Sequence, residues 1–266
     1  MDSVLFECGW FSIKWYSVLI LLGMIMGSLI FYQEAKDKKL SKDDMENIIF
    51  YGLLFGILGA RLYYVLFNLD YYLQYPLEII QVWHGGLAIH GGIIGGLITI
   101  LVYCKKKKIN TVLLLDTIVM GLLLAQAIGR WGNFFNGEAF GRTVSYSFLK
   151  SLHLPSFIIK GMYIDGAYRE PTFLYESIIS LIGFFTLFGI SKVKKIRVGQ
   201  LTGLYLIWCG IERIIIESFR SDSLMLGPLK IAQVISLLFI IFGIYFVLKN
   251  IKSNKYYKEE KLLLEK

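Results

Sequence analysis

Charge is scarce in this chain. Of its 266 residues, 18% are Asp, Glu, Lys or Arg, against roughly 25% in an average soluble chain. Apolar residues reach 56%, above the roughly 45–50% of soluble domains. These values exclude a disordered protein and a solvent-facing nucleic-acid binder. Cysteine is also sparse. Cys8, Cys104 and Cys209 are odd in number and far apart, with no CxxC pair and no metal-ligand spacing, so neither a disulfide framework nor a zinc site is indicated. They read as small buried hydrophobes. There are three histidines. His84 and His90 are six apart, off the i, i+4 helical pairing, and His153 is distant in sequence, so no metal is expected. The chain has no GxGxxG after a strand and no P-loop, so no nucleotide cofactor is expected. The N-terminus lacks the basic region and cleavage site of a removable signal peptide, and the first apolar run is expected to be retained.

What is present is long apolar runs. Crossing a hydrocarbon core of ~30 Å takes about 20 helical residues, and seven runs qualify: 13–32, 48–67, 87–103, 112–131, 172–190, 201–219 and 231–248. Only helices or closed barrels satisfy the backbone in lipid, and these runs lack the alternation of barrel strands. The expected fold is all-α, a single membrane-embedded domain over 1–266 with seven transmembrane helices. Segment 134–170 is its longest non-spanning piece, expected to form a loop or cap at the outer face.

Orientation follows from where lysine and arginine lie. Lys36, Lys38, Lys39 and Lys42 separate spans one and two, and four lysines fill 105–108. Lys192, Lys194, Lys195 and Arg197 separate spans five and six, and six more lysines, Lys252 and Lys266 among them, follow span seven. The alternate segment 68–86 has none. This places the N-terminus outside and the C-terminus in the cytoplasm. The two basic residue types then separate: 17 of 21 lysines fall on the cytoplasmic side, whereas Arg61, Arg130, Arg142, Arg169, Arg213 and Arg220, six of seven arginines, fall toward the outside. Lysine is enough for topology. Arginine adds a planar fork matched to phosphate or carboxylate, which points to anion chemistry at the outer face.

Ionisable residues within spans are costly and mark functional sites by default. Span two carries Arg61, span three opens near His90, span four ends with Gln126, Arg130 and Asn133, and Tyr16 starts span one. Span six carries Arg213, Glu217 and Arg220 at i, i+4, i+7, on one helix face. An Arg213–Glu217 pair that merely neutralises itself, or an arginine that snorkels to the interface, explains any one of these about as well as function does. It explains their common depth poorly. Glycines at 91/95, 92/96 and 52/56 are small-xxx-small pairs for close helix packing.

One stretch is long and specific: Gly129-Arg130-Trp131-Gly132-Asn133-Phe134-Phe135-Asn136-Gly137-Glu138-Ala139-Phe140-Gly141-Arg142. It resembles the signature of the bacterial prolipoprotein diacylglyceryl transferases. The GGLAIHGG run around His90, Pro171-Thr172-Phe173-Leu174-Tyr175-Glu176, Arg213 to Leu224, Trp15-Tyr16 and Gly59-Ala60-Arg61-Leu62 agree with it. The resemblance covers essentially the whole chain in order. It implies transfer of the diacylglyceryl group of phosphatidylglycerol to the lipobox cysteine thiol of a preprolipoprotein, leaving a thioether and releasing glycerol 1-phosphate, in the bacterial cytoplasmic membrane with the site toward the outer face. It implies His90, Arg130 and Arg213 as catalytic residues. Arg130, Tyr16, Arg61, Asn133, Asn136, Glu138, Gly141, Arg142, Glu217 and Arg220 are expected to bind substrate. His90 is expected either to act as general base or to orient the headgroup. Two places depart from the pattern. Glu170 stands where the family usually has histidine, and Cys209-Gly210-Ile211-Glu212 stands where it often reads Tyr-Gly-x-Gly. No role is assigned to residue 170, and Glu212 is left open between an ion-pair partner of Arg213 and a headgroup-facing residue. The rival reading is a transporter or flippase of an anionic lipid. Broken helices at the midplane and an internal repeat would favour it, and the polar groups instead gather toward one face.

Overall fold

The structure, a computed structural model, describes residues 4–8, 11–220, 225–226, 229–251 and 253–263. The motif residues 221–224, and Lys252 and Lys266, lie outside the described residues. In chain order the elements are β1 (Val4–Cys8), β2 (Phe11–Lys14), α1 (Trp15–Asp37), α2 (Lys42–Phe67), α3 (Leu69–Gln74), α4 (Ile89–Lys107), α5 (Thr111–Asn136), α6 (Tyr146–Ser151), α7 (Ser156–Gly161), β3 (Tyr163–Ile164), β4 (Ala167–Tyr168), α8 (Thr172–Ser191), α9 (Gln200–Phe219), β5 (Met225–Leu226), β6 (Leu229–Lys230) and α10 (Ile231–Asn250). The strands pair only as three antiparallel hairpins, β1–β2, β3–β4 and β5–β6.

The chain is mostly helical. Among the described residues, α1, α2, α4, α5, α8 and α10 are long and apolar enough to cross a membrane. Much of their apolar surface faces outward, as in the exposed leucines, isoleucines and phenylalanines of α2, α4 and α10. That surface belongs in lipid, and the chain is accordingly a polytopic membrane protein. Helix α9 coincides with the sixth apolar run, but Glu212, Arg213 and Glu217 crowd its second half.

The chain folds as two compact units, Met1–Phe31 with Leu115–Glu260, and Tyr32–Leu114 with Lys261–Lys266. In the second unit, α2 starts where Ser41 accepts a hydrogen bond from the Asp44 amide at 3.1 Å, and Asp43 and Asp44 sit in its first turn. Both features suit the positive end of the helix dipole. Lys105, Lys106 and Lys107 suit the opposite end of α4. Helices α2 and α4 meet through glycine: a Cβ on Gly59 would lie 2.5 Å from the Gly91 carbonyl oxygen and 3.1 Å from the Gly95 Cα. The expected close-packing role of Gly91, Gly92 and Gly95 is therefore met. A Cβ on Gly52 would meet nothing within 4 Å.

In the first unit, α1 lies on α5, where a Cβ on Gly23 would stand 3.0 Å from the Ala125 carbonyl oxygen, and Trp15 stacks on Phe135 at 5.0 Å. Helix α10 lies on α9 at Gly203 and Gly210. Asp116, fully buried, starts α9 from a neighbouring helix. Its carboxylate accepts from the Gly199 amide at 2.5 Å, the Thr202 amide at 2.8 Å and the Thr202 hydroxyl at 2.6 Å. These satisfy amides that a helix N-terminus cannot satisfy internally.

Segment 134–170 has a core of its own. Helix α5 runs on to Asn136, so the first three residues of 134–170 are helical and the cap proper begins at Gly137. Leu149, Ile158, Ile159 and Met162 close over Phe134 and Phe173, whose rings stack at 4.5 Å. The β3–β4 turn is Asp165-Gly166, with φ of +52° and +77°, the two-residue hairpin turn whose mirror-image twist suits the strands. Cys8 corrects an expectation: it lies exposed on β1, whereas Cys104 is buried. A short hairpin strand has a face with nothing to cover it.

The glycine contacts make a prediction. Gly59→Ala should lower apparent stability by about 1–3 kcal/mol, because the new methyl meets backbone that cannot turn aside. Gly52→Ala should stay within about 0.5 kcal/mol of the parent. Thermal unfolding of both variants in detergent checks the contrast.

Candidate functional site

Three helices of the first unit bring four charged side chains together. Arg130 on α5 sets its Nε 2.6 Å from Oε2 of Glu176 on α8. Arg213 on α9 sets Nη1 3.6 Å from Oε1 of the same carboxylate, and Nη2 3.0 Å from Oε2 of Glu217 one turn on. Helical spacing presents Arg213 and Glu217 on one face, and that face meets α8. Neither Glu176 Oε2 nor Glu217 Oε2 accepts an aligned hydrogen bond, so these short contacts are charge contacts. The carboxylates are 2% exposed and the arginines 29% and 34%. The cations thus lie over the anions. Buried charge survives in an apolar bundle only when paired, and each charge here is paired.

Around this cluster the sequence-predicted residues take distinct places. Tyr16 lies against Gly132, where a Cβ would come within 2.9 Å of the Tyr16 ring. The α5 terminus turns tightly: the Glu138 amide donates to the Asn133 carbonyl at 2.9 Å, Gly137 has φ of +63°, and the Asn136 side-chain amide donates to Glu138 at 3.4 Å. Gly141 is where three strands of chain cross. Its amide donates to the Glu170 carbonyl at 2.9 Å, and a Cβ there would lie 2.9 Å from the Glu170 Cβ and 3.0 Å from the Thr172 methyl. Only glycine fits so close an approach. The Arg142 amide donates to the Phe219 carbonyl at 3.0 Å, and Gly141 is bridged to Arg220. Arg220 is the C-cap of α9 in extended conformation. The i, i+4, i+7 face therefore ends at Glu217, because the chain leaves the helix before Arg220 and pairs with the cap instead.

Arg61 and His90 belong to the second unit. Arg61 is 7% exposed, and its donors go to backbone carbonyls: Nε to Ile79 at 2.9 Å, Nη1 to Gly85 and Gly86 at 2.7 and 3.0 Å, and Nη2 to Glu78 at 2.5 Å. It anchors the loop after α3 with four of its five N–H donors. His90 is the second residue of α4, exposed, with the Tyr63 ring 6.0 Å away.

Two glutamates were left without a role by sequence reasoning. Glu176 stands in the Pro-Thr-Phe-Leu-Tyr-Glu motif, which could have flagged it. Glu170 accepts from Arg142 Nε at 2.9 Å and is 3% exposed. It stands in for the expected histidine by holding an arginine. Among the described residues Glu212 makes no ion pair with Arg213 within 4 Å. It is buried and accepts a hydrogen bond from Ser180 at 2.9 Å. Cys209 lies 3.8 Å from the Gln126 side-chain oxygen, while the Gln126 amide donates to Tyr205 at 3.0 Å. Among the described residues no cluster of His, Cys, Asp and Glu fits a metal ion.

Comparison with known proteins decides the family. Residues 3–249 match the family described as prolipoprotein diacylglyceryl transferase. The chain belongs to that family. It is 47% identical over 249 residues to the phosphatidylglycerol–prolipoprotein diacylglyceryl transferase of Staphylococcus saprophyticus, covering 93% of this chain and 89% of that one. The protein of the same name from Staphylococcus haemolyticus is 46% identical, covering 93% and 88%. That of Staphylococcus xylosus is 44% identical over 257 residues, covering 96% and 91%. Like these bacterial relatives, this member of the transferase family is an enzyme of the transferase class.

The junction at residue 170 makes a prediction for this member. Glu170→Ala should leave Arg142 without its carboxylate and loosen the cap by about 1–2 kcal/mol, with Glu170→Gln costing less. Limited proteolysis of the cap, followed with thermal unfolding, reads the difference.

Proposed function

We propose that this protein transfers the diacylglyceryl group of phosphatidylglycerol to the lipobox cysteine thiol of preprolipoproteins, forming a thioether and releasing glycerol 1-phosphate. The observation that carries the reading is the Arg130 guanidinium. Its Nε rests on a buried carboxylate, its side chain is 29% exposed, and among the described residues its terminal nitrogens make no hydrogen bond. A planar fork with open donors, in a chain of this family, suits a lipid phosphate.

The chemistry asks for two things. A thiol of pKa near 8.5 is mostly protonated at neutral pH, and the thiolate is the nucleophile. His90 accepts that proton in this reading, as the general base. The sulfur then attacks the glyceryl carbon that bears the phosphate. The carbon–oxygen bond breaks, and its electron pair leaves on the phosphate oxygen. Arg130 takes up the developing negative charge, with Arg213 beside it as the second cation. Preorganised charge of this kind is typically worth about 10²–10³ in rate per donor. Neither metal nor cofactor enters this scheme. Substrate binding by Tyr16, Asn133, Asn136, Glu138, Gly141, Arg142, Glu217 and Arg220 belongs to the same proposal. Gly141, Arg142 and Arg220 act through the cap junction, and Arg61 acts by holding its loop.

The topology of the proposal is seven spans, N-terminus outside, in the bacterial cytoplasmic membrane with the site toward the outer face. Two observations support α9 as the seventh span. Its charges are met within the protein, Arg213 by Glu176 and Glu217, and Glu212 by Ser180. Lysines close α1, α4 and α10 at Lys36, Lys105 to Lys107, and Lys249, as the positive-inside rule asks. In this proposal the cap over 137–170 meets the preprolipoprotein signal peptide beside the lipid.

The test is direct. Purified protein with labelled phosphatidylglycerol and a lipobox peptide should yield thioether product, and translocation of lipid without product would move the protein to the flippase class. His90→Gln should lose most turnover while still binding phosphatidylglycerol, and near-normal turnover would remove His90 from the reaction. Arg130→Ala should weaken lipid binding and lower the rate by about 10²-fold or more; unchanged binding and rate would refute the assignment.

A further inference from the structure

The charge cluster is layered by sign, and the layering has a consequence for which anion it prefers. Glu176 and Glu217 lie underneath at 2% exposure, with the arginines over them at 29% and 34%. Two guanidiniums and two carboxylates give the cluster a formal charge of zero. Among the described residues Glu217 pairs with Arg213, from one turn along the same helix. Glu176 touches both arginines, Oε2 on Arg130 and Oε1 on Arg213, from a different helix.

Coulomb attraction scales with the charge of the ligand. Two uncompensated guanidiniums would therefore hold a doubly charged phosphate monoester better than a singly charged phosphate diester. The transfer reaction runs the other way, since its lipid substrate is a diester and its released product a monoester. A bare arginine pair would grip what it must release. Buried carboxylates beneath the pair repel every unit of ligand charge, so the second charge gains less than it would over a bare arginine pair.

We infer that Glu176 is a positioning residue that holds Arg130 and Arg213 in one frame and sets the cluster's preference for a phosphodiester over a phosphomonoester. The inference rests on the transfer reading for its biological sense, while its physical content concerns the cluster alone.

The experiment is equilibrium binding of two probes to the full chain in detergent, at about pH 8, where a phosphate monoester with a second pKa near 6 carries both charges. The probes are glycerol 1-phosphate and dimethyl phosphate. Glu176→Gln should raise the ratio of monoester to diester affinity by about tenfold, and Glu176→Asp, which keeps the charge, should return it toward the parent value. A purely structural role would weaken both probes together and leave the ratio where it was. Should Glu176→Gln not fold, Glu217→Gln removes the same charge from the same cluster and should also raise the ratio. An unchanged or lower ratio in the folded variant overturns the inference. Thioether formation by the same unmodified preparation reports on the transfer reading separately. An active parent with an unmoved ratio removes only the role of Glu176, and an inactive parent with a shifted ratio removes only the transfer reading.

Discussion

Pairing of buried charge inside an apolar bundle is the constraint on which this structure turns. Arginine on α5 and α9 can stand among lipid-facing helices only because Glu176 and Glu217 lie against it. Those pairs in turn dictate that α5, α8 and α9 meet on their polar faces, with Trp131 donating to Ser177 at 3.2 Å and Ser180 to Glu212 at 2.9 Å along the same seam. The remaining surfaces of these helices are free to be apolar. In the proposed function, chemistry and packing share one set of side chains. Removing a glutamate therefore changes both the electrostatics of the site and the seam that supports it.

The cap follows from a second constraint. A segment that leaves the membrane must bury its own apolar residues, and this one does so over Phe134 and Phe173 at the ends of α5 and α8. It is then tied down at Gly141 and Arg142, where backbone pairs run to Glu170 and Phe219. The signature residues accordingly divide by task. Arg130 carries open donors, Gly141 permits a crossing that no side chain allows, and Arg142 is clamped by Glu170 across that crossing.

Helix packing has a third origin. Where charge is absent, α2 and α4, α1 and α5, and α9 and α10 approach at glycine. Lipid tails are as apolar as leucine, so association rests on close contact of surfaces. Glycine gives the closest backbone approach, which is why Gly59 tolerates so little and Gly52, facing open space, constrains nothing.

Much of this was legible along the chain. The seven apolar runs coincide with seven helices of the structure, to within a few residues at most ends, because about twenty residues of uniform hydropathy leave few alternatives to a helix in lipid. The asymmetry between lysine and arginine pointed to anion chemistry before any contact was known, and the resemblance around Arg130 was confirmed at the level of the family. The partners of the charges were not legible. Glu176 lies 46 residues from Arg130 and 37 from Arg213, and no periodicity links positions on different helices. Glu170 looked like the loss of a base and proved to be an anchor for Arg142. Arg61 looked like one more outward cation, and four of its donors hold the carbonyls of residues 78, 79, 85 and 86. Residue type, span and charge asymmetry are properties of the chain read in order, since each depends on neighbours in sequence. Which carboxylate lies beneath which arginine, and which donor stays open, depends on groups that only folding brings within reach of one another.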